Sequence, residues 1–269
     1  MKSDIDLSAV RSILFLPASN PRAIARAREA GADLVVLDLE DAVKPEDKNA
    51  ARDAAVEAVA SGWPMPVAIR VNGVGTQWHS LDLDAAAKSK ADFVVVPRAI
   101  SALLVRAVRD AVNKPVLAMI ETAAGVLAAA EIAKETAGLI AGTNDLAADL
   151  RLPPGAGRAP LQTALQTIVL AARAARVTVF DGVFNGLDDP EGFLAEAEEG
   201  RRFGFDGKSL IHPNQIELCH RAFAPSEGEL DRAQRLVEAF HGGAERFDDQ
   251  MIERMHVEAA QRLLDRADR

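Results

Sequence analysis

The stretch "VLAMIETAAGVLAAAEIAKETAGLIAGTNDLAADL", residues 116–150, decides the fold. It opens with an apolar run, 116–120, that ends on Glu121; after an Ala-rich segment a second run, 138–142, leads to Asp145. Hydrophobicity in both runs is continuous rather than alternating. A strand of that kind is covered on both faces, as in a parallel sheet whose crossovers are helices. The segment between them, 124–134, predicts such a crossover helix. Two parallel strands joined this way lie side by side, so Glu121 and Asp145 top adjacent strands roughly 4.8 Å apart.

The same unit recurs along the chain. "SILFL" (12–16), "LVVLDL" (34–39), "VAIRV" (67–71), "FVVVP" (93–97), "VTVF" (177–180) and "GKSLI" (207–211) join the two runs already quoted to make eight strands. Helices are predicted between and after them at about 20–30, 46–60, 80–89, 99–112, 124–134, 160–176, 189–203 and 213–223. Eight β/α units in a chain of 269 residues favour a closed (β/α)8 barrel, an α/β TIM-barrel fold, over an open doubly wound sheet. The barrel is expected over 1–223. Residues 224–269 read as a C-terminal helical tail: a helix, a break at Gly242–Gly243, a short turn and a second amphipathic helix. Such a tail packs on its own barrel or reaches a neighbouring subunit. "RLPPGAGRAP" (151–160) reads as a long loop.

Composition narrows the function. A formal net charge of -9 without basic clusters argues against a nucleic-acid partner. The single cysteine, Cys219, excludes an intramolecular disulfide and reads as a buried helix thiol in a reducing compartment. The opening "MKSDIDLSAV" lacks a signal-peptide core, and no run approaches a membrane span of about 18 apolar residues. A cytoplasmic protein without a membrane partner is expected.

Polar residues follow every strand: "PASNPR" (17–22), "DLEDAV" (38–43), "RVNG" (70–73), "PRA" (97–99), "ETAAG" (121–125), "GTNDLAADL" (142–150), "DGVFN" (181–185) and "HPNQ" (212–215). In a β/α barrel these ends converge on the face where active sites form, so an enzyme is expected. Glu121 and Asp145 can share one Mg²⁺, a hard cation that takes one or two carboxylates and completes its shell with water and substrate oxygens. Their alternative roles are helix capping and helix initiation. No zinc-type spacing of His or Cys competes. Arg70 ends an apolar strand and needs an anionic partner, either a substrate carboxylate or an internal acid such as Glu40 or Asp41. Within "DLED", Glu40 and Asp41 are placed to support an arginine or a water on the metal. Gly142 and Thr143, leading into a helix at Asn144, can present backbone N–H groups to a carboxylate. Lys208, in "GKSLIHP", reads as packing rather than as a Schiff-base lysine.

Taken together, "RSILFLPASNPR", "VVLDLEDAV", "IRVNG", "VVVPRA", "MIETAAGV", "GTNDLAADL", "FDGVFN" and "GFDGKSLIHPNQI" resemble the citrate lyase β-subunit-like branch of the HpcH/HpaI aldolase superfamily over nearly the full chain. The resemblance implies Mg²⁺ on Glu121 and Asp145 and a keto or hydroxy acid clamped by Arg70. It implies cleavage or formation of a carbon–carbon bond between a keto acid and an acyl group on coenzyme A, in malyl-, citramalyl- or citryl-CoA-like substrates. It further implies a homo-oligomer, trimer or hexamer, in which an acid near the C-terminus, here Glu253, acts as catalytic base in a neighbouring subunit. Asn144, Arg98, Arg151 and Glu253 stand where relatives often carry an acid, Lys, Gly and Asp. Two other readings follow: a pyruvate-type class II aldolase acting on free aldehydes, and a catalytically silent keto-acid-binding protein.

Overall fold

The computed structural model describes residues 5–267. Strands β1 (Ser12–Pro17), β2 (Leu34–Asp38), β3 (Val67–Arg70), β4 (Phe93–Val96), β5 (Val116–Ile120), β6 (Gly138–Ala141), β7 (Thr178–Asp181) and β8 (Gly207–Leu210) close a parallel barrel in chain order. Helices α1 (Pro21–Ala27), α2 (Lys48–Ala60), α3 (His79–Lys88), α4 (Ala102–Val112), α5 (Ala123–Ala133), α6 (Thr143–Asp149), α7 (Gln162–Ala175), α8 (Pro190–Phe203) and α9 (Ile216–Phe223) follow the strands. Their starts are chemically marked: the side chains of Asn20, Ser101, Thr122 and Asp189 accept from first-turn amides. The fold is the (β/α)8 barrel that the eight apolar runs imply.

Strand alternation sorts the side chains. Ile13, Leu34, Val36, Ala68, Phe93, Val95, Leu117, Met119, Ile140 and Phe180 form one buried cluster. They are register partners across neighbouring strands, Val36 with Ala68 and Met119 with Ile140 among them, so this set fills the barrel interior. A step of two residues along the same inward rows leads from Val36 to Asp38, from Ala68 to Arg70 and from Met119 to Glu121. These three polar side chains therefore emerge at the C-terminal mouth.

The opposite end of the barrel is stapled by Asp33. Its Oδ2 accepts from the amides of Arg11 (2.7 Å) and Ser12 (3.1 Å) and lies 3.3 Å from Nε2 of His220 on α9. Ser12 Oγ is 2.8 Å from that same nitrogen. A catalytic relay uses both ring nitrogens of the histidine, so this trio is structural. Burial raises the Asp33 pKa, but the His220 hydrogen bond, the Arg11 amide and the charges of both residues outweigh it and bring it down to about 2.

The described chain divides into two compact units, the barrel through Ala222 and a second unit from Phe223. The second contains α10 (Glu227–Ala239), the antiparallel pair β9 (Glu245–Phe247) and β10 (Gln250–Ile252), and α11 (Arg254–Ala267). Ala233, Leu236, Ile252 and Ala260 form its core, with Val237, Phe240 and Phe247 packed on it. The hairpin corrects the expectation of a short turn. Asp248 and Asp249 both adopt positive φ, 44° and 60°, and that turn lacks the glycine that normally announces it. Among the described residues no helix is long and apolar enough to cross a membrane.

The Asp33 staple sets an acid sensitivity. A folded pKa of about 2 lies below the ordinary value of 3.8, so this stabilisation is complete above about pH 4 and is lost as pH falls toward 2. Asp33→Asn should cost roughly 1–2 kcal/mol near neutrality after solvent screening, and less near pH 2. Urea unfolding of both proteins at the two pH values checks this; a constant gap would remove Asp33 as its source.

Candidate active site

Asp38 and Arg70 are register partners on β2 and β3. Arg70 Nε and Nη2 each donate to Asp38 at 2.6 Å, one to either oxygen, and both residues are buried. Asp38 also accepts from the amides of Glu40 (2.8 Å) and Ala42 (3.0 Å), which curls the "DLED" loop over its own strand end. Arg70 Nη1 lies 2.9 Å from Glu40 Oε2 and 3.7 Å from Asp41 Oδ2, with the Phe15 ring 5.4 Å from the guanidinium. Burial lowers the Arg70 pKa, and Asp38 first, then Glu40 and Asp41, more than compensate, so the guanidinium stays charged. The structure thus gives Arg70 an internal acid. Glu40 and Asp41 are beside it as expected, but the dominant partner is Asp38, which sequence spacing did not distinguish from its neighbours.

Glu121 is 2% exposed, and its Oε1 accepts the Arg98 N–H at 2.6 Å. A Cβ on Gly142 would lie 2.4 Å from Glu121 Cβ and 2.6 Å from Oε2, so glycine is required there for space. The expectation that Gly142 offers its amide to a substrate is corrected, because that N–H donates to the Ile120 carbonyl at 3.0 Å. Thr143 and Asn144 open α6, where first-turn amides have no acceptor within the helix. The Asn144 side chain is engaged in a reciprocal amide pair with Asn185, at 3.2 and 2.8 Å. Asp145, in the first turn of α6, stands 4.0 Å from Arg98 Nη1.

Glu121, Asp145, Arg70 and the residues opening α6 line one cavity of about 360 Å³, walled by apolar side chains including Phe15, Met119 and Val183. All of its lining residues come from the barrel unit. A larger cavity, about 1060 Å³, lies at the strand starts beside Val116, Ala137 and Thr178 and gathers none of the C-terminal strand residues. Chemistry therefore favours the smaller one.

The carboxylates at this mouth repel one another. Burial first, and then the neighbouring Asp145 and Asp41, push Glu121 up to about 7 against the Arg98 amide. Glu40 rises to about 8 through burial and the charges of Asp41, Glu121 and Asp38, which Arg70 only partly offsets. Asp145 is raised too, by burial and then by Asp41. Although Glu40 Oε2 is close to Arg70, the approach is off the hydrogen-bond direction, and that buried oxygen has no hydrogen-bond partner. Such an acidic set fits a divalent cation. Among the described residues no three His, Cys, Asp or Glu side chains converge into a metal cage. Glu121 and Asp145, which line one cavity, could hold a hard ion that also takes oxygens from water or substrate.

Buried cations hold the surrounding loops. Lys48 Nζ donates to Leu39 O (2.9 Å), Glu40 O (2.8 Å) and Asn72 Oδ1 (2.6 Å), using all three protons to tie the loop after β2 to that after β3. Asp82 accepts from both Asn72 nitrogens and from Arg52. Lys208 donates to Gly182 O (2.6 Å), Glu196 Oε1 (2.8 Å) and Asp181 Oδ2 (3.1 Å), the packing role its sequence setting suggests. Lys48, Arg52 and Asp82 carry no local signal in the sequence, since their partners are remote. Glu253 belongs to the second unit, is partly exposed just ahead of α11, and donates its N–H to His256 Nδ1 at 2.9 Å.

A β/α barrel with an acidic, arginine-bearing cavity at the carboxyl ends of its strands is the class that fold and site define. Residues 11–213 match the family described as HpcH/HpaI aldolase/citrate lyase, and the chain belongs to that family. It is 42% identical over 270 residues to a (3S)-malyl-CoA thioesterase of Cereibacter sphaeroides, covering 96% of this chain and 94% of that one. With the citrate lyase subunit beta of Escherichia coli it shares 31% identity over 281 residues, at 96% and 93% coverage. Among solved structures, CitE from Mycobacterium tuberculosis in complex with magnesium, acetoacetate and coenzyme A superposes with a TM-score of 0.87 at 35% identity. That match covers 98% of this chain and all (100%) of the other.

The Asp38–Arg70 pair yields a stability prediction. Asp38→Asn removes the charge facing a buried guanidinium and should destabilise the barrel by about 3 kcal/mol. A shift of the urea midpoint equivalent to less than about 1 kcal/mol would show that Glu40 takes over as counter-ion.

Proposed function

We propose that the chain is a Mg²⁺-dependent enzyme acting on the coenzyme A thioester of a 3-hydroxy acid of malyl type, breaking or forming the carbon–carbon bond next to the hydroxyl-bearing carbon. The observation that carries this reading is the placement of Glu121 and Asp145 in one cavity with Arg70. Family membership and the CitE complex with magnesium, acetoacetate and coenzyme A support it.

Each residue then has a defined task. Glu121 and Asp145 would hold the cation, which when bound supplies Lewis-acid polarisation to the keto-acid half. The first-turn amides of Thr143 and Asn144 would donate to a substrate carboxylate. Arg70, fixed by Asp38, supplies positive charge at the cavity without swinging, so charge developing in the transition state meets a preorganised cation. In cleavage a base removes the hydroxyl proton, the C–O bond becomes a carbonyl, and the carbon–carbon electron pair passes to the thioester as an enolate that is then protonated. Glu253 is proposed as that base, serving the cavity of a neighbouring subunit in a homo-oligomer.

A second reading is hydrolysis of the same thioester, favoured by the identity with the Cereibacter sphaeroides malyl-CoA thioesterase. The products separate the two. Carbon–carbon cleavage of malyl-CoA gives glyoxylate and acetyl-CoA; hydrolysis gives malate and free coenzyme A. We expect glyoxylate and acetyl-CoA in equal amounts, dependent on Mg²⁺ and abolished by Glu121→Ala or Asp145→Ala with the fold retained. Turnover that survives complete chelation sinks the metal assignment, and release of free thiol without glyoxylate selects the thioesterase.

Complementation tests the Glu253 role. Neither Glu253→Ala nor Glu121→Ala should turn over alone, whereas oligomers mixed from the two should regain activity, because one site in the mixture combines two intact residues. If subunit exchange is demonstrated and activity stays absent, Glu253 does not act across an interface.

A further inference from the structure

We infer that Arg98 is a positioning residue whose left-handed backbone, rather than its guanidinium, fixes Glu121 for the cation. The inference rests on the Mg²⁺ reading above. Arg98 has φ of 48°, a region that non-glycine residues enter at an energetic cost. Its N–H makes the 2.6 Å hydrogen bond to Glu121 Oε1. That oxygen belongs to a carboxylate that is almost wholly buried, so the direction of one amide has a large share in deciding where the group points.

The flanks of Arg98 are pinned. Pro97, on its N-terminal side, has its own φ locked by the ring. On the other side the Ala99 amide donates to the Met119 carbonyl at 3.1 Å, and the Ala99 carbonyl presses on Gly125, where a Cβ would come within 2.6 Å of it. With both neighbours held, φ at Arg98 cannot relax to negative values without turning the peptide that carries the N–H. The side chain contributes less. It is 57% exposed, and its nearest approach to Asp145 is 4.0 Å, an ion pair that solvent screens.

Two substitutions separate backbone from side chain. Glycine accepts positive φ freely and keeps the N–H but has no guanidinium. Valine, branched at Cβ, strongly disfavours that region and should drive the peptide out of line. Mg²⁺ is titrated by calorimetry into the wild type, Arg98→Gly, Arg98→Gln and Arg98→Val, each checked by circular dichroism. Arg98→Gly and Arg98→Gln should bind within about twofold of wild type, and Arg98→Val at least about tenfold more weakly, the range seen when a ligand loses its supporting hydrogen bond. Weakened binding in Arg98→Gly or Arg98→Gln, or wild-type binding in Arg98→Val, overturns the inference. Should the valine protein not fold, the glycine and glutamine proteins decide alone. A wild type that binds no Mg²⁺ defeats the metal reading itself, and with it this inference.

Discussion

The bidentate bond between Asp38 and Arg70 links the barrel to its chemistry. Both residues are the last members of their strands and share a register position, so the pair closes the mouth between β2 and β3 as a ladder hydrogen bond would. The same aspartate accepts the amides of Glu40 and Ala42 and so folds its own loop inward. One carboxylate thus orients both the guanidinium and the start of the acidic loop. A buried ion pair is weak support for stability when set against apolar packing. Its value here lies in orientation, because two parallel hydrogen bonds leave the arginine few alternatives.

Around that pair the site is built against its own electrostatics. Burial pushes Glu40 and Glu121 into the neutral range, and the charge of Asp41 raises Glu40, Glu121 and Asp145 further. An isolated chain gains nothing from this crowding. A divalent cation would oppose these effects, since it favours the ionised form of every nearby carboxylate. Lys48 helps to retain the geometry meanwhile. It grips backbone carbonyls of the acidic loop, so the loop stays placed whether or not its side chains are charged.

How much of this was legible beforehand depended on the range of the interaction. All eight strands were readable, because continuous apolar runs bounded by polar strand ends are a local signal. The placement of Glu121, Asp145 and Arg70 around one cavity was legible for the same reason, since each lies at or just past the end of an apolar run. Asp38 was not separable from Glu40 and Asp41, since the choice among three acids rests on the pairing of β2 with β3, which no single run encodes. Gly142 was singled out for its amide, whereas the reason for it is the Glu121 side chain on the next strand. The hairpin of the second unit escaped because its strands are short and its turn is Asp248–Asp249, without the glycine that usually marks such a turn.

Strand parity settles which buried charges can do chemistry. Arg70 lies two residues beyond Ala68 on an inward row and meets the cavity. Lys208 pairs in register with Asp181, one residue past the inward Phe180, so both point into the layer between barrel and helices, where Glu196 of α8 meets the lysine. Its three donors are all engaged there, and it is fully buried. A shift of one position would have brought an ammonium group to the lumen instead. Among the described residues the cation lining this cavity is Arg70, which stays protonated at any working pH and cannot form a Schiff base with a keto acid. With Lys208 turned away and its donors engaged, the proposed reaction would draw on charge and hydrogen bonding around the carboxylates rather than on covalent attachment to that lysine.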